Sequence, residues 1–181
     1  MRHLFVSLLL LTLIGCELDY EGAIMVDEIS EDIPDTVLIE FTHSLIRNGS
    51  KSLVIQSSRG EFYEKKKQTD FFEVNFFEYD SEGLVVTSGA CDHARLYTDT
   101  EDVELWGGLE IFSAKDEAHL LGETLFWNDA DGILSSPEDE VVSISQDSGT
   151  SFSGKGFTAE TRSRTVKYSS HVEGYWIGED E

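Results

Sequence analysis

The chain contains 181 residues, of which 36 are Asp or Glu and 13 are Lys or Arg, so its formal net charge at pH 7 is −23. This charge repels the phosphates of nucleic acids and of anionic lipid surfaces. It therefore excludes a nucleic-acid-binding protein and requires a separate anchor for any contact with a membrane. Aromatic residues make up 11% of the chain, an apolar content that is not typical of a disordered acidic protein.

The amino-terminal residues have the layout of an export signal. Met1–His3 is a short basic region, and Leu4–Ile14 is an apolar segment too short to cross a bilayer as a helix. The signal ends in Leu13-Ile14-Gly15-Cys16, which resembles the lipobox of bacterial lipoproteins, where the cysteine thiol accepts a lipid. The alternative is a plain signal peptide followed by an unrelated cysteine. We expect residues 1–15 to be the signal peptide and Cys16 the lipidation site.

The remainder of the chain predicts a short tether followed by one β-rich domain. Residues 16–33 are acidic and unpatterned, and residues 177–181 form an acidic tail. Between them, residues 34–176 show apolar side chains at every second position, as in Val37, Ile39 and Phe41, and again in Phe72, Val74 and Phe76. Turn signals such as Asn48-Gly49 separate these segments. The pattern is typical of an all-β sandwich or roll of antiparallel strands.

A weak repeat is superimposed on the strand pattern. When segments 81–112, 113–144 and 145–176 are aligned, Gly122 coincides with Gly154, Leu125 with Phe157, and Leu134 with Val166. Each segment would then be a module of two or three strands that stacks on its neighbour. Chance alignment of three β segments is the competing explanation.

Four short motifs, in order, resemble the LptC family, the periplasmic component of the lipopolysaccharide transport machine. The residues are Phe76-Phe77-Glu78-Tyr79-Asp80-Ser81-Glu82-Gly83-Leu84, Trp106-Gly107-Gly108-Leu109-Glu110-Ile111-Phe112, Leu120-Leu121-Gly122-Glu123-Thr124-Leu125-Phe126-Trp127-Asn128 and Gly154-Lys155-Gly156-Phe157-Thr158-Ala159. The resemblance covers about residues 34–176. It depends on the order and spacing of the motifs, since each motif alone is weak.

The resemblance implies an open, twisted β-jellyroll whose two sheets splay apart around a hydrophobic groove. Such a domain receives lipopolysaccharide, or another acylated glycolipid, from an LptB2FG-like transporter and passes it to an LptA-like bridge protein by edge-to-edge strand pairing. The family usually begins with a transmembrane helix, whereas this chain has a lipobox, so the anchoring membrane stays open. We expect a periplasmic protein that is lipid-anchored to the inner membrane.

The expected groove is lined by apolar side chains of the alternating segments. The candidates are Leu84, Val86, Leu96, Leu105, Leu109, Ile111, Leu120, Leu125, Trp127, Leu134, Val141, Ile144, Phe152 and Phe157. From the residues alone, the same set also fits the filled core of an ordinary sandwich. A β-sandwich lipoprotein that makes only protein–protein contacts is therefore the alternative function.

A bridge built from jellyrolls must keep its edge strands available for β-augmentation. The expected edges are the first strand, around Val37 to Phe41, and the last strand, around Thr165 to Trp176. On the last strand, the expected partner-contacting residues are Val166, Tyr168, Val172 and Tyr175.

The sequence predicts no enzyme, cofactor or metal site. Cys91-Asp92-His93 would place a thiol and an imidazole on one face of a strand, but no orienting motif flanks them; Cys91 is expected to be a small buried hydrophobe. Asp129-Ala130-Asp131-Gly132 resembles a calcium loop but has Trp127 where the first carboxylate belongs. Lys65-Lys66-Lys67 is interpreted as a solvated hairpin tip, with contact to lipid phosphates as the alternative.

The lipid anchor gives the first testable prediction. Replacing Cys16 with Ala removes the thiol that would carry the acyl chains, each buried methylene of which contributes about 0.8 kcal/mol to membrane attachment. We expect Cys16→Ala to abolish incorporation of radiolabelled palmitate and to release the protein from membranes. The Cys91→Ala variant, which also removes one thiol, serves as the control and should label normally. Unchanged labelling of Cys16→Ala would rule out this anchor.

Overall fold

The structure is a computed structural model that describes residues 31–177. The predicted signal peptide, Cys16 and most of the tether lie outside the described residues. Within residues 31–177 the secondary structure is entirely β, and nothing in that part of the chain forms a helix able to cross a membrane. The strands are β1 Thr36–Arg47, β2 Ser50–Tyr63, β3 Gln68–Tyr79, β4 Val85–Tyr97, β5 Val103–Ser113, β6 Ala118–Asn128, β7 Ile133–Ser135, β8 Val141–Gln146, β9 Ser151–Lys155, β10 Thr158–Glu160, β11 Thr165–Lys167 and β12 Ser170–Tyr175.

The strands form one antiparallel sheet that forks at β6. Strands β1 to β6 pair in sequence order. The end of β6 then pairs with β7 through Phe126–Asn128, while its beginning pairs with β8 through Ala118–Leu121. The two branches continue as β7–β10–β11 and β8–β9–β12. Six long strands are therefore followed by three interrupted ones, β7 with β8, β9 with β10, and β11 with β12.

Long strands such as β3 and β4 change the direction of their side chains at one level of the sheet. In β3 the core residues Phe71 and Val74 are three positions apart, as are Cys91 and Ala94 in β4. Residues on one face of a regular strand are separated by an even number of positions. Each of these strands therefore contains an offset of one residue between its two halves.

The backbone at this level shows how the offset arises. Glu40 in β1 and Glu73 in β3 have left-handed φ angles of 47° and 51°, and Gly107 and Gly108 in β5 have φ angles of 83° and 54°. The β5–β6 register shifts between Trp106 and Leu109. Such β-bulges bend a strand and increase its twist. We call this row of irregularities, which crosses β1 to β6, the bend line.

The bend line divides the sheet into two half-sheets. Half-sheet I contains residues 36–39, 59–63, 68–72, 93–97, 103–106 and 124–128 with β7, β10 and β11. Half-sheet II contains residues 41–47, 50–57, 74–79, 85–91, 109–113 and 118–122 with β8, β9 and β12. In the three interrupted strands a short link takes the place of the bulge. One core cluster draws residues from both half-sheets, so their inner faces pack together in the two-layer arrangement of a jellyroll, and the predicted fold class is confirmed.

The turns follow the sequence signals closely. Asn48 and Gly49, with φ angles of 52° and 82°, connect β1 to β2 as a tight hairpin of the kind that asparagine–glycine pairs favour. Asp80 begins the β3–β4 turn. Its carboxylate accepts hydrogen bonds from the backbone N–H groups of Glu82 and Leu84, both at 2.9 Å.

Each of the three repeat segments covers about two strands that cross the whole sheet, where an interrupted strand counts as one. Segment 81–112 holds β4 and most of β5, segment 113–144 holds β6 with β7 and most of β8, and segment 145–176 holds β9 to β12. Two of the aligned pairs lie in similar places: Leu125 and Phe157 are both fully buried, and Leu134 and Val166 pair with Ala159 from opposite sides. The aligned residues Ile144 and Trp176 do not, since Ile144 packs against the core and Trp176 is exposed beyond β12.

Two predictions about faces and edges were wrong because of the bends and breaks. Val37, Ile39 and Phe41 do not share one face: Ile39 is 61% exposed, whereas Phe41 packs against the core. Phe72 likewise lies outside the core cluster that contains Val74. The predicted last strand is two strands, β11 and β12, at the outer ends of different branches.

The bend line predicts an asymmetry between two glycines with the same backbone angle. Gly107 and Gly83 both have φ of 83°. A Cβ atom on Gly107 would lie 2.7 Å from the Cβ of Asp92, whereas one on Gly83 would meet nothing within 4 Å. We expect Gly83→Ala to lower the free energy of unfolding by about 1 kcal/mol through φ strain alone. Gly107→Ala should lower it by about 2–4 kcal/mol, because overpacking is added.

Urea denaturation of both variants measures this difference. Equal losses of stability would contradict the close approach of β4 and β5 at the bend line.

Candidate functional site

The candidate site is the apolar space between the inner faces of the two half-sheets. Next to the bend line, cross-strand neighbours Phe71, Ala94, Leu105 and Leu125 form a row on half-sheet I. The row on half-sheet II consists of Val74, Cys91, Leu109 and Val142. All eight side chains are buried, and Phe157 closes the gap where β9 passes into β10. These residues form the floor of a groove, and the floor is filled by side chains.

One row farther from the bend line, most inner side chains are only half-buried, although Thr69 beside Leu96 is 4% exposed. On half-sheet I the row runs through Leu96, Val103, Trp127, Leu134, Ala159 and Val166. On half-sheet II it runs through Ile55, Phe76, Ile111, Leu120, Ile144 and Phe152. At the last positions of these rows, Val166 on β11 is 47% exposed and Phe152 on β9 is 38% exposed. Burial therefore falls with distance from the bend line, and these two rows form the walls of the groove.

Inner-face glycines allow aromatic rings to lie across neighbouring strands. A Cβ atom on Gly89 would lie within 2.6 Å of the ring of Phe76, and one on Gly154 would lie 2.8 Å from the ring of Tyr168. Any other residue at these two positions would push the ring away from the strand beside it. Small residues therefore determine how closely the aromatic lining follows the sheet.

Eleven of the fourteen predicted groove residues lie on the inner faces. Leu105, Leu109, Leu125 and Phe157 belong to the floor, and the others belong to the walls: Leu96, Ile111, Leu120, Trp127, Leu134, Ile144 and Phe152. Leu84 lies in the β3–β4 turn and is 61% exposed. Val86 and Val141 alternate with the inner-face residues Thr87 and Val142, so they face outward.

The prediction omitted several inner-face residues, among them Phe71, Val74, Val103 and Val142. Phe71 and Val74 cannot both be assigned to one face if alternation continues unbroken through Glu73. The Gly107-Gly108 pair is the one signal in the sequence that marks the level of the bend.

The four predicted partner-contacting residues do not lie on one strand. Val166 is on β11, and Val172 and Tyr175 are exposed on β12. Tyr168 lies in the link between β11 and β12, and its ring packs 5.7 Å from that of Phe157. Its hydroxyl is the one buried side-chain polar atom of residues 31–177 without a hydrogen-bond partner, and burial raises the pKa of this phenol. Tyr168 therefore belongs to the interior.

The structure separates the residues of the alternative Cys–His pair. Cys91 is in the floor, whereas the ring of His93 stacks on Trp106 at 5.3 Å and meets Phe72 edge-on at 5.2 Å, away from the core. The register shift between Ala90 and His93 places the two side chains on opposite faces, so the prediction of a shared face was wrong. Burial raises the pKa of the Cys91 thiol to about 11, which keeps it protonated and unreactive at neutral pH.

The outer face of half-sheet I carries an ion pair beside its aromatic rings. The carboxylate of Asp70 accepts a hydrogen bond from Nε of Arg95 at 2.8 Å, and this pairing raises the pKa of the guanidinium. The same arginine lies over the ring of Trp106. Among the described residues no group of His, Cys, Asp and Glu side chains is arranged to hold a metal ion. In the Asp129–Gly132 turn, the backbone N–H of Asp131 donates to the side-chain oxygen of Asn128.

Comparison with known proteins places this geometry in context. A family model described as "Lipopolysaccharide-assembly, LptC-related" matches residues 4–177. Among solved structures, the fold is similar to that of LptH from Pseudomonas aeruginosa, described as the LptA homologous periplasmic component of the conserved lipopolysaccharide transport device. The TM-score is 0.55 at 13% identity, covering 70% of this chain and 95% of LptH. No curated protein sequence matches the chain significantly.

Proposed function

Because this chain belongs to the LptC-related family of lipopolysaccharide assembly, we propose that it is a periplasmic lipid carrier rather than an enzyme. Its groove would hold the acyl chains of lipopolysaccharide or of a related acylated glycolipid. The lipid would arrive from an LptB2FG-like transporter and leave to an LptA-like bridge protein.

The decrease in burial from the floor to the walls is the observation that carries this proposal. Leu105, Leu109 and Leu125 are buried in the core cluster, whereas wall residues such as Ile111 and Leu120 are half-buried. Acyl chains would therefore lie along the walls, above the floor, and cover apolar surface that is otherwise in contact with water. Covering this surface is favourable by about 25 cal/mol per Å².

Passage of the lipid requires no chemistry within the domain. The walls consist of aliphatic and aromatic side chains, which bind hydrocarbon without directional preference. A chain can slide along such a surface at little cost, because each position offers a similar environment. Energy supplied by the transporter would load the groove, and each incoming lipid would displace the one before it.

The edges of the sheet support a role in a chain of similar domains. β1 lies at one end of the sheet and has β2 as its neighbour. β11 and β12 lie at the opposite ends of the two branches, and each is paired on one side in the described chain. Unpaired N–H and C=O groups along such strands can pair with an incoming strand. We propose that the β11 and β12 edges receive the bridge protein.

The proposed location follows from the anchor and from the family. Acylated Cys16 would hold the domain at the inner membrane, on its periplasmic side, through the tether of residues 16–33. This anchor would take the place of the transmembrane helix with which the family usually begins.

The filled floor also favours the alternative function, a lipoprotein that makes only protein–protein contacts. In that case the walls would be no more accessible to lipid than the outer face. A lipid carrier would contact hydrocarbon mainly through its inner face. A protein-binding lipoprotein would show no difference between the inner and outer faces of a strand.

Neighbouring leucines on β6 give a matched test. Leu120 faces the groove wall, whereas Leu121 is exposed on the outer face. We expect a photo-crosslinking residue at 120 to label lipopolysaccharide during export, because the acyl chains would pass beside it. The same residue at 121 should label at least about tenfold less, since outer-face contact with lipid would be incidental. The floor positions 109 and 125 are unsuitable, because a bulky probe there would overpack the core. Equal labelling from positions 120 and 121 would refute the groove.

The edge assignment gives a second test. Proline cannot donate a backbone hydrogen bond, so Val172→Pro on β12 should weaken co-purification of the LptA-like bridge protein by about tenfold while lipid labelling from position 120 is retained. Val37→Pro on β1 is the matched control at the opposite edge and should leave bridge binding intact. Undiminished co-purification with Val172→Pro would refute the pairing at β12.

A further inference from the structure

Two ion pairs connect the outer ends of the two half-sheets. The guanidinium of Arg47, at the end of β1 in half-sheet II, lies 3.7 Å from the carboxylate of Glu101, in the β4–β5 turn of half-sheet I. The carboxylate of Asp116, in the β5–β6 turn of half-sheet II, lies 3.3 Å from the guanidinium of Arg164, in the β10–β11 turn of half-sheet I. All four residues lie at the ends of the half-sheets that are remote from the bend line. The pairs therefore span the open side of the groove, which we call its mouth.

The two ion pairs lie at different points along the mouth. Arg47–Glu101, which we call the first clasp, takes its half-sheet II member from β1, the strand at one edge of the sheet. Arg164–Asp116, the second clasp, takes its half-sheet I member from the turn that leads into β11, at the end of its branch. In half-sheet II, strands β2 to β4 lie between the two attachment points. Anything that moves along the mouth from β1 toward β11 therefore meets the clasps one after the other.

The acidic member of each clasp is held by its own turn. The backbone N–H of Glu101 donates to the carbonyl of Tyr97 at 2.8 Å. The hydroxyl of Ser113 donates to Oδ2 of Asp116 at 2.9 Å, which leaves Oδ1 toward the arginine. The arginines reach these carboxylates from the opposite half-sheet through long, flexible side chains. Each clasp can therefore separate by rotation of an arginine side chain, without the loss of a strand pairing.

A carried glycolipid would place different chemical groups on the two sides of the mouth. Its acyl chains would lie against the apolar walls. Its sugar headgroup would remain in water, because polar groups that enter an apolar space without hydrogen-bond partners lose several kcal/mol each, roughly 2–7. The connection between the headgroup and the chains would then run through the mouth. A lipid that moves along the groove must carry this connection past each ion pair, and it can do so only while that pair is broken.

We propose that the two clasps act as successive gates for a glycolipid that moves along the groove. The gates rest on the proposed lipid-carrying function and add a control step to it. The first clasp separates to admit the lipid and closes behind it, and the second clasp holds the lipid until it passes toward β11. Between these events the lipid is retained within the domain.

The strength of the clasps suits a gate. All four side chains are more than half exposed, and an exposed ion pair changes an equilibrium by at most about fivefold. Thermal motion therefore opens each clasp readily, while the closed state stays favoured. A buried, tightly bound pair at the same place would stop the movement of lipid altogether.

Covalent closure of each clasp tests the proposal on the full chain in cells. The Arg47→Cys/Glu101→Cys and Asp116→Cys/Arg164→Cys variants are joined by a bismaleimide reagent that contains a cleavable disulfide, which gives a first lock and a second lock. Cys91 should not react, because it is buried and its raised pKa of about 11 keeps the thiol protonated.

Photo-crosslinking residues at two wall positions report how far lipopolysaccharide travels. Ile111 on β5 lies between the clasps, and Phe152 on β9 lies beyond the second clasp. We expect the first lock to lower labelling at both positions by about tenfold, because the polar headgroup cannot pass beneath a closed clasp through the apolar groove. The second lock should lower labelling at position 152 alone. Cleavage of the reagent by a reductant should restore both.

Single-cysteine variants provide the matched control. Arg47→Cys and Arg164→Cys, treated with the same reagent, break one ion pair each without joining the half-sheets, and they should label at least as strongly as the wild type. If the wild type labels at both positions and neither lock changes the labelling, the gates are refuted and the carrier function stands. If the wild type labels at neither position, the proposed carrier function fails, and the gates fail with it.

Discussion

The structure depends on one geometric constraint: at one level of the sheet, long strands such as β3 and β4 must offset their side-chain alternation by one residue. Without that offset, a strand crossing the whole sheet would send half of its apolar residues to the wrong side. Glu40 in β1 and Glu73 in β3 have left-handed φ angles at this level. In β5 the pair Gly107 and Gly108 adds one residue relative to β6 and keeps Leu105 and Leu109 on the inner face. The links that interrupt the last three strands meet the constraint by breaking the strand altogether. The bend line thus makes two facing half-sheets out of a single sheet.

The bend line also explains why one interior has both a core and a groove. The half-sheets are closest where they share a strand, so the rows beside the bend line, including Leu109 and Leu125, fill the space between them. Farther away, the same kind of side chain is half-exposed. Under the proposed function, stability and lipid binding would depend on successive rows of one apolar surface. Whether an apolar residue contributes to the core or to the proposed lipid surface depends more on its distance from the bend line than on its hydrophobicity.

Local features of this architecture were predictable from the sequence, whereas the bends were not. Alternating apolar residues and pairs such as Asn48-Gly49 predicted an antiparallel all-β fold, and four motifs predicted the family. The left-handed position in β3 is occupied by Glu73, a residue that gives no sign of a bulge, so Phe72 and Val74 were assigned to one face. The same effect placed Cys91 and His93 together. The division of the last strand into β11 and β12 was not predicted. It depends on the pairing of β6, whose two ends have different neighbours, β7 and β8.

The fork at β6 has a mechanical consequence for any assembly of such domains. A neighbour that docks, as proposed, at the outer ends of the two branches meets two edge strands of unequal length, since β11 spans Thr165–Lys167 and β12 spans Ser170–Tyr175. The longer strand, β12, offers more backbone groups for hydrogen bonding with a neighbour, so its junction would be stronger than that of β11. A joint that is firm on one side and slack on the other behaves as a hinge. In the proposed assembly, the passage between two subunits would then widen for a bulky lipid without the subunits separating.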